Sequence, residues 1–160
     1  IKEGTYNLWL PGGNVLNPVT GFYRPVATET LTIPSTAAKV ITVGAYDSRL
    51  NAYADFSGRG GAGLPYPKPD LVAPGVAITA PTPGGGYASV TGTSFSTPFV
   101  TGSAALLMEW GIVRKNDPFL WGEKVKAYLR RGTKPLPGFD RYPNESVGWG
   151  RLCLESSLPD

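Results

Sequence analysis

The feature that most constrains this chain is a run of 15 residues, Ser94 to Met108, without a charged side chain and with small residues at Gly102, Ser103, Ala104 and Ala105. Such a run is too long for an ordinary buried strand and fits a helix. A helix polar nowhere has no face to offer water, so it is predicted to be buried, with a stop at Trp110-Gly111. Its apolar segment Gly102 to Met108 falls far short of the roughly 20 residues that cross a bilayer.

Short β-branched runs precede this helix. Val40 to Val43, ending at Gly44, and Leu71 to Ala73, stopped by Pro74-Gly75, read as buried strands. Between them Ser57 to Gly63 holds four glycines and reads as loop. Val76 to Ala80 and Tyr87 to Val90 are two further strand candidates around a Pro81 to Gly86 turn. After the charge-free run, Asp117 is a candidate N-cap with Pro118 at the first helical position, and Arg130-Arg131-Gly132 closes that second helix. Residues 1–30 read as a separate β-rich segment, with a strand over Thr5 to Leu10 and turns at Pro11 to Asn14 and Asn17-Pro18.

Composition narrows the class. With 160 residues and 41% hydrophobic side chains the chain can bury one main core, and 21 glycines with 16 prolines imply many tight turns. The net charge of +3 comes from scattered residues, apart from Lys124, Lys126, Arg130 and Arg131, which read as a solvated helix face. No basic stripe with interleaved aromatics suggests a nucleic-acid partner. The lone Cys153 permits no disulfide within the chain and reads as a small core residue; no Cys/His set suggests zinc. Neither a cofactor nor a metal is expected. The first residues lack an initiator Met and a signal-peptide pattern, as in a processed, cleaved or truncated piece.

The chemistry concentrates in Gly92-Thr93-Ser94-Phe95-Ser96-Thr97-Pro98, which joins a strand-like segment to the charge-free helix. A serine at a helix N-terminus faces unpaired N–H groups and the positive end of the helix dipole, which stabilise an oxyanion formed beside it. Gly92 lets the chain turn sharply, and Pro98 is expected in the first turn. On these grounds alone Ser94 reads as an N-cap, and spacing by itself does not make it a nucleophile.

The heptad resembles the nucleophile motif of the subtilisin-like (S8) peptidases, Gly-Thr-Ser-x-Ser/Ala-x-Pro. Val40 to Ala45, Phe56 to Gly60, Lys68 to Gly75 and Gly148 to Leu152 are similar to segments that flank this motif in the family, in the same order. Leu8 to Pro11, Thr30 to Pro34, Trp110 to Val113 and Ser156 to Pro159 also resemble the Csp-type subtilases of clostridia. The resemblance implies an α/β fold with a mainly parallel sheet flanked by helices, of which residues 31–160 form the C-terminal part. Residues 1–30 are then the tail of an inserted jelly-roll-like domain. It implies a serine endopeptidase with Ser94 as nucleophile acting on protein or peptide substrates, in a cytoplasmic or spore-associated setting.

The chain contains no histidine. By the resemblance, the His, its Asp and the oxyanion Asn belong to an N-terminal part of the same protease, and the isolated chain is expected to be inactive and prone to self-association. A pseudoprotease scaffold that binds a protein partner is the alternative. Lys39, Lys68 and Lys115 are the residues that could replace the His base, without a motif in support. Asp70 falls where some relatives place a ligand of a weak cation site, although a turn or solvent-facing carboxylate is the commoner meaning.

Overall fold

The computed structural model describes residues 4, 7–11, 15–61 and 63–159. Among the described residues, five strands and three α-helices follow one another: β1 (Val43–Asp47), β2 (Ala52–Tyr53), β3 (Leu71–Pro74), β4 (Ile78–Pro81), β5 (Tyr87–Val90), α1 (Thr93–Met108), α2 (Glu123–Arg131) and α3 (Leu154–Ser157). β1 lies between β2, antiparallel to it, and β3, parallel to it, with Val43 opposite Leu71 and Tyr46 opposite Pro74. The expected parallel pairing resides in β1 and β3, while β4 and β5 form a separate antiparallel hairpin. Gly84, Gly85 and Gly86 at its turn all have positive φ, a conformation that favours glycine.

Alternation along β3 divides the core. Leu71 and Ala73 face one side, where they meet Val100 and Leu107 of α1 and Val125 and Leu129 of α2. Val72 faces the other side, with Tyr46, Leu136 and Val147. Burying leucines such as Leu71, Leu107 and Leu129 completely contributes about 1.5–3 kcal/mol each.

Several expectations change in detail. The first strand starts at Val43, because Val40 to Thr42 turn their backbone groups towards buried lysines and Asp70. Residues 7–10 form no strand, and Thr5 and Tyr6 lie outside the described residues, as do residues 12–14 of the first expected turn. The Asn17-Pro18 turn is present, with Thr20 N donating to Asn17 O at 2.8 Å. Trp110-Gly111 does not stop the charge-free helix; the chain continues in a π-helical turn, Glu109–Val113, in which Gly111 lies close against Leu120 and the Asp117 carbonyl. α2 begins at Glu123 behind Gly122, not at Asp117. The Asp117 carboxylate instead accepts from Lys124 Nζ at 2.6 Å and Tyr128 OH at 3.1 Å. Cys153 is half-buried at the head of α3, where its thiol meets Ser156 Oγ at 3.4 Å.

The largest difference concerns α1. Only Ser96, Val100, Ser103 and Leu107 are buried, a single stripe at helical spacing. The rest of the helix surface is largely open, with Phe99, Leu106 and Met108 all exposed.

Candidate active site

Ser94 sits in the first turn of α1, because the cap position belongs to Gly92, at φ 152°. Ser94 is therefore not the N-cap. Phe95 N donates to Gly92 O at 3.0 Å, closing the entry turn. The other first-turn N–H groups have no carbonyl one turn back, which leaves the helix end positive around the Ser94 hydroxyl. Pro98 lies one turn beyond Ser94, inside the helix rather than in its first turn. Its ring removes the N–H that would otherwise bond the Ser94 carbonyl.

The position of this turn is fixed from below. Gly92 N donates to Gly75 O at 2.8 Å, and Gly75 N donates to Tyr46 O at 3.0 Å, so α1 is tied to the ends of β3 and β1. Ser96, with no exposed surface, lies directly over Gly75, and its buried Oγ has no hydrogen-bond partner among the described residues.

Ser94 opens on a cavity of about 650 Å³. Thr93, Ser94 and Thr97 form one side, segments 30–32, 34–35 and 40–43 another, and Phe56 and Gly58 close it. Sequence reasoning assigned no wall to residues 30–43. The β-branched run and the cis Ile33-Pro34 bend mark the segment, but its placement beside Ser94 is a tertiary fact. A second cavity of about 500 Å³, lined by Trp9, Leu31, Ile33 and Leu64 among others, does not include Ser94.

The lysine alternatives for a base find no support. Lys39 is exposed. Lys115 follows the far end of a 16-residue helix, roughly 24 Å from its start. Lys68 is buried and fully engaged, donating to Val40 O at 2.7 Å, Thr42 Oγ1 at 2.9 Å and Asp70 Oδ2 at 2.7 Å. Burial holds its amine below the usual lysine value, against the opposing pull of Asp70.

Asp70 is neither a turn residue nor solvent-facing. It is completely buried, with Lys68 and Thr42 N on one carboxylate oxygen and Arg130 and Lys126 on the other. The solvated basic face expected of α2 is thereby corrected: Lys126 is buried, and Arg130 spans from Asp70 to the Trp149 ring, 3.9 Å from its centroid. Among the described residues, no group of three or more His, Cys, Asp or Glu side chains converges.

A serine at the head of a helix, braced by a parallel strand pair and facing an open cavity, is the arrangement of the subtilases; residues 12–150 match the subtilase family, peptidase S8, and the chain belongs to it. It is similar to the solved structure of the CspB protease of Clostridium perfringens, with 44% identity and a TM-score of 0.79 over 84% of this chain and 29% of that one. It is also similar to the serine protease AprX of Bacillus subtilis strain 168, 33% identical over 82% of this chain and 32% of that protein. The alkaline elastase YaB of Bacillus sp. strain YaB is 47% identical over 97 residues, 61% of this chain and 22% of that protein. The chain spans about a third or less of the length of these three relatives.

Proposed function

We propose that the whole protein is a subtilisin-type serine endopeptidase and that residues 31–160 are the C-terminal, nucleophile-bearing part of its catalytic domain. Residues 1–30 are assigned to the tail of an inserted domain. The observation that carries the reading is the exposed Ser94 in the first turn of α1, opening on the 650 Å³ cavity.

In this reaction the Ser94 Oγ attacks the scissile carbonyl and its proton passes to a His supplied, with its Asp, by the upstream part. The tetrahedral oxyanion is held by the Ser94 N–H and an upstream Asn. The amine leaves with the proton from the His, and water then releases the acyl group from Ser94. The chain by itself has no histidine and is inactive. Removing the nucleophile or the base costs roughly a millionfold in subtilisin, itself a member of this family. The partners that follow are a protein or peptide substrate, the upstream part, and self-association of the chain when that part is missing.

The test is treatment of the full-length, matured protein with a fluorophosphonate probe, followed by peptide mapping. An adduct on Ser94, absent in Ser94→Ala and absent when the upstream part is removed, supports the assignment. A folded, matured protein that takes no label is a pseudoprotease scaffold, and the proposal fails.

A further inference from the structure

Behind the wall of the cavity, five oxygens converge from separate parts of the chain: the carbonyls of Ala38 and Val40, the Thr42 hydroxyl and both carboxylate oxygens of Asp70. Carbonyls gathered around one carboxylate are the donor set of a hard cation. Two ammonium groups of the chain occupy it, while the Arg130 guanidinium and the Thr42 N–H approach the Asp70 carboxylate from outside. Lys68 Nζ has three acceptors, Val40 O, Thr42 Oγ1 and Asp70 Oδ2. Lys126 Nζ, from α2, donates to Ala38 O at 2.6 Å and Val40 O at 3.0 Å and lies 3.4 Å from Asp70 Oδ1. Each ammonium thus has three oxygens within 3.4 Å, Val40 O being common to both. Both side chains are almost wholly out of water, so no solvent shares the work. Without the Lys126 ammonium, the inward-turned Ala38 carbonyl would have no donor from the cage and the Val40 carbonyl would keep Lys68 alone, a costly state for buried groups.

We propose that this cage is a cation site that the chain fills with its own Lys126 ammonium, so that a tethered cation, in place of a metal ion, fixes residues 38–42 and through them the cavity wall beside Ser94. The last clause rests on reading that cavity as the substrate site. Val40 and Thr42 belong to the wall and to the cage at once, which couples the two. Lys126 is a positioning residue: it meets the wall from behind.

The test uses the full-length protein and reads the thermal midpoint, each addition being compared with the same addition to the wild type. Lys126→Ala vacates the whole side-chain channel and is expected to lower the midpoint by at least about 5 °C. n-Propylammonium at about a hundred times its dissociation constant recovers several degrees, whereas tetramethylammonium at equal ionic strength, which has no N–H to donate, recovers none. Lys126→Met keeps the stem and vacates only the ammonium position; there potassium restores stability and n-propylammonium does not. Variants as stable as the wild type, an equal response to tetramethylammonium, or a loss that no cation relieves overturns the proposal. Failure of both variants to fold with any of these cations also counts against it, since a vacated cation site accepts a substitute. For the wall, Lys126→Met raises the fluorophosphonate concentration for half-maximal Ser94 labelling severalfold and leaves the limiting rate unchanged; an unchanged half-maximal concentration removes the link to the cavity. A wild type that takes no label refutes the protease reading and leaves the midpoint test standing.

Discussion

Gly75→Ala tests how the nucleophile's helix is held. The backbone of Gly75 is not in the left-handed region, so an alanine meets no conformational strain there and its effect is steric alone. Its Cβ would lie 2.3 Å from Ser96 Oγ, 2.7 Å from Ala45 Cβ and 3.2 Å from Gly92 O. Carbon atoms pack at about 3.5–4 Å, so one of these neighbours has to move by about 1 Å. Ala45 is central in the sheet with no exposed surface, and Gly92 O belongs to the cap of α1, which leaves the head of α1 to give way. Overpacking of this kind costs about 1–3 kcal/mol and lowers the thermal midpoint. A displacement of Ser94 by about 1 Å reduces reactivity by up to about 100-fold. The assay is the second-order rate of fluorophosphonate labelling in the full-length protein, measured well below the midpoint. Ser96→Ala alone is expected to be near neutral, because it removes a buried hydroxyl with no partner, and in the double variant G75A/S96A it recovers part of the rate. Wild-type labelling by Gly75→Ala with an unchanged midpoint would refute the steric coupling.

Other consequences are measurable in the same protein. Asp70→Asn leaves Lys68, Lys126 and Arg130 without their common counter-charge and is expected to cost about 3–5 kcal/mol; a denaturant midpoint equal to wild type contradicts the cluster. The Arg49 side chain beside Asp47, and the Lys124 ammonium beside Asp117, hold both carboxyls below their ordinary 3.8. A carboxyl lowered on folding stabilises the fold fully above its unfolded value and loses that contribution as pH falls through the folded one. The double variant D47N/D117N should therefore lose less stability than the wild type below pH 3.8, read as thermal midpoint against pH, and parallel curves would contradict this.

Local features of the fold were legible, and pairings distant in the sequence were not. The position of α1 follows from missing charge, β5 from the glycine-rich turn that bounds it, and the entry turn from Gly92. Asp117-Pro118 carries a valid capping signal, yet Lys124 and Tyr128 take the carboxylate and the chain makes an extra turn before α2 starts. Capping competes with side-chain partners, and the local pattern does not show which prevails. The Asp70 cluster was hidden for a different reason. Its contacts join residues 60 and 88 positions apart, and Lys126 and Arg130 look like an ordinary charged helix end until α2 is docked on β3. Lysine is almost never fully buried unless paired, and the pairing is tertiary.

The charge-free helix shows the same limit from the opposite direction. Its composition calls for burial all round, yet Ser94, Thr97, Thr101, Ala105 and Met108 are exposed. At 100° per residue these five positions share one stripe, opposite that of Ser96, Val100, Ser103 and Leu107. Met108 on this stripe, and Phe99 and Leu106 flanking the buried one, forgo part of the roughly 1.5–3 kcal/mol that full burial of each would contribute. A sequence that keeps charge off an exposed stripe is suited to having that stripe covered. Ser94 lies at one end of the stripe, so whatever packs along it comes within reach of the Ser94 hydroxyl. The same packing that buries α1 can then bring a base to the serine, which ties completion of the fold to completion of the proposed active site.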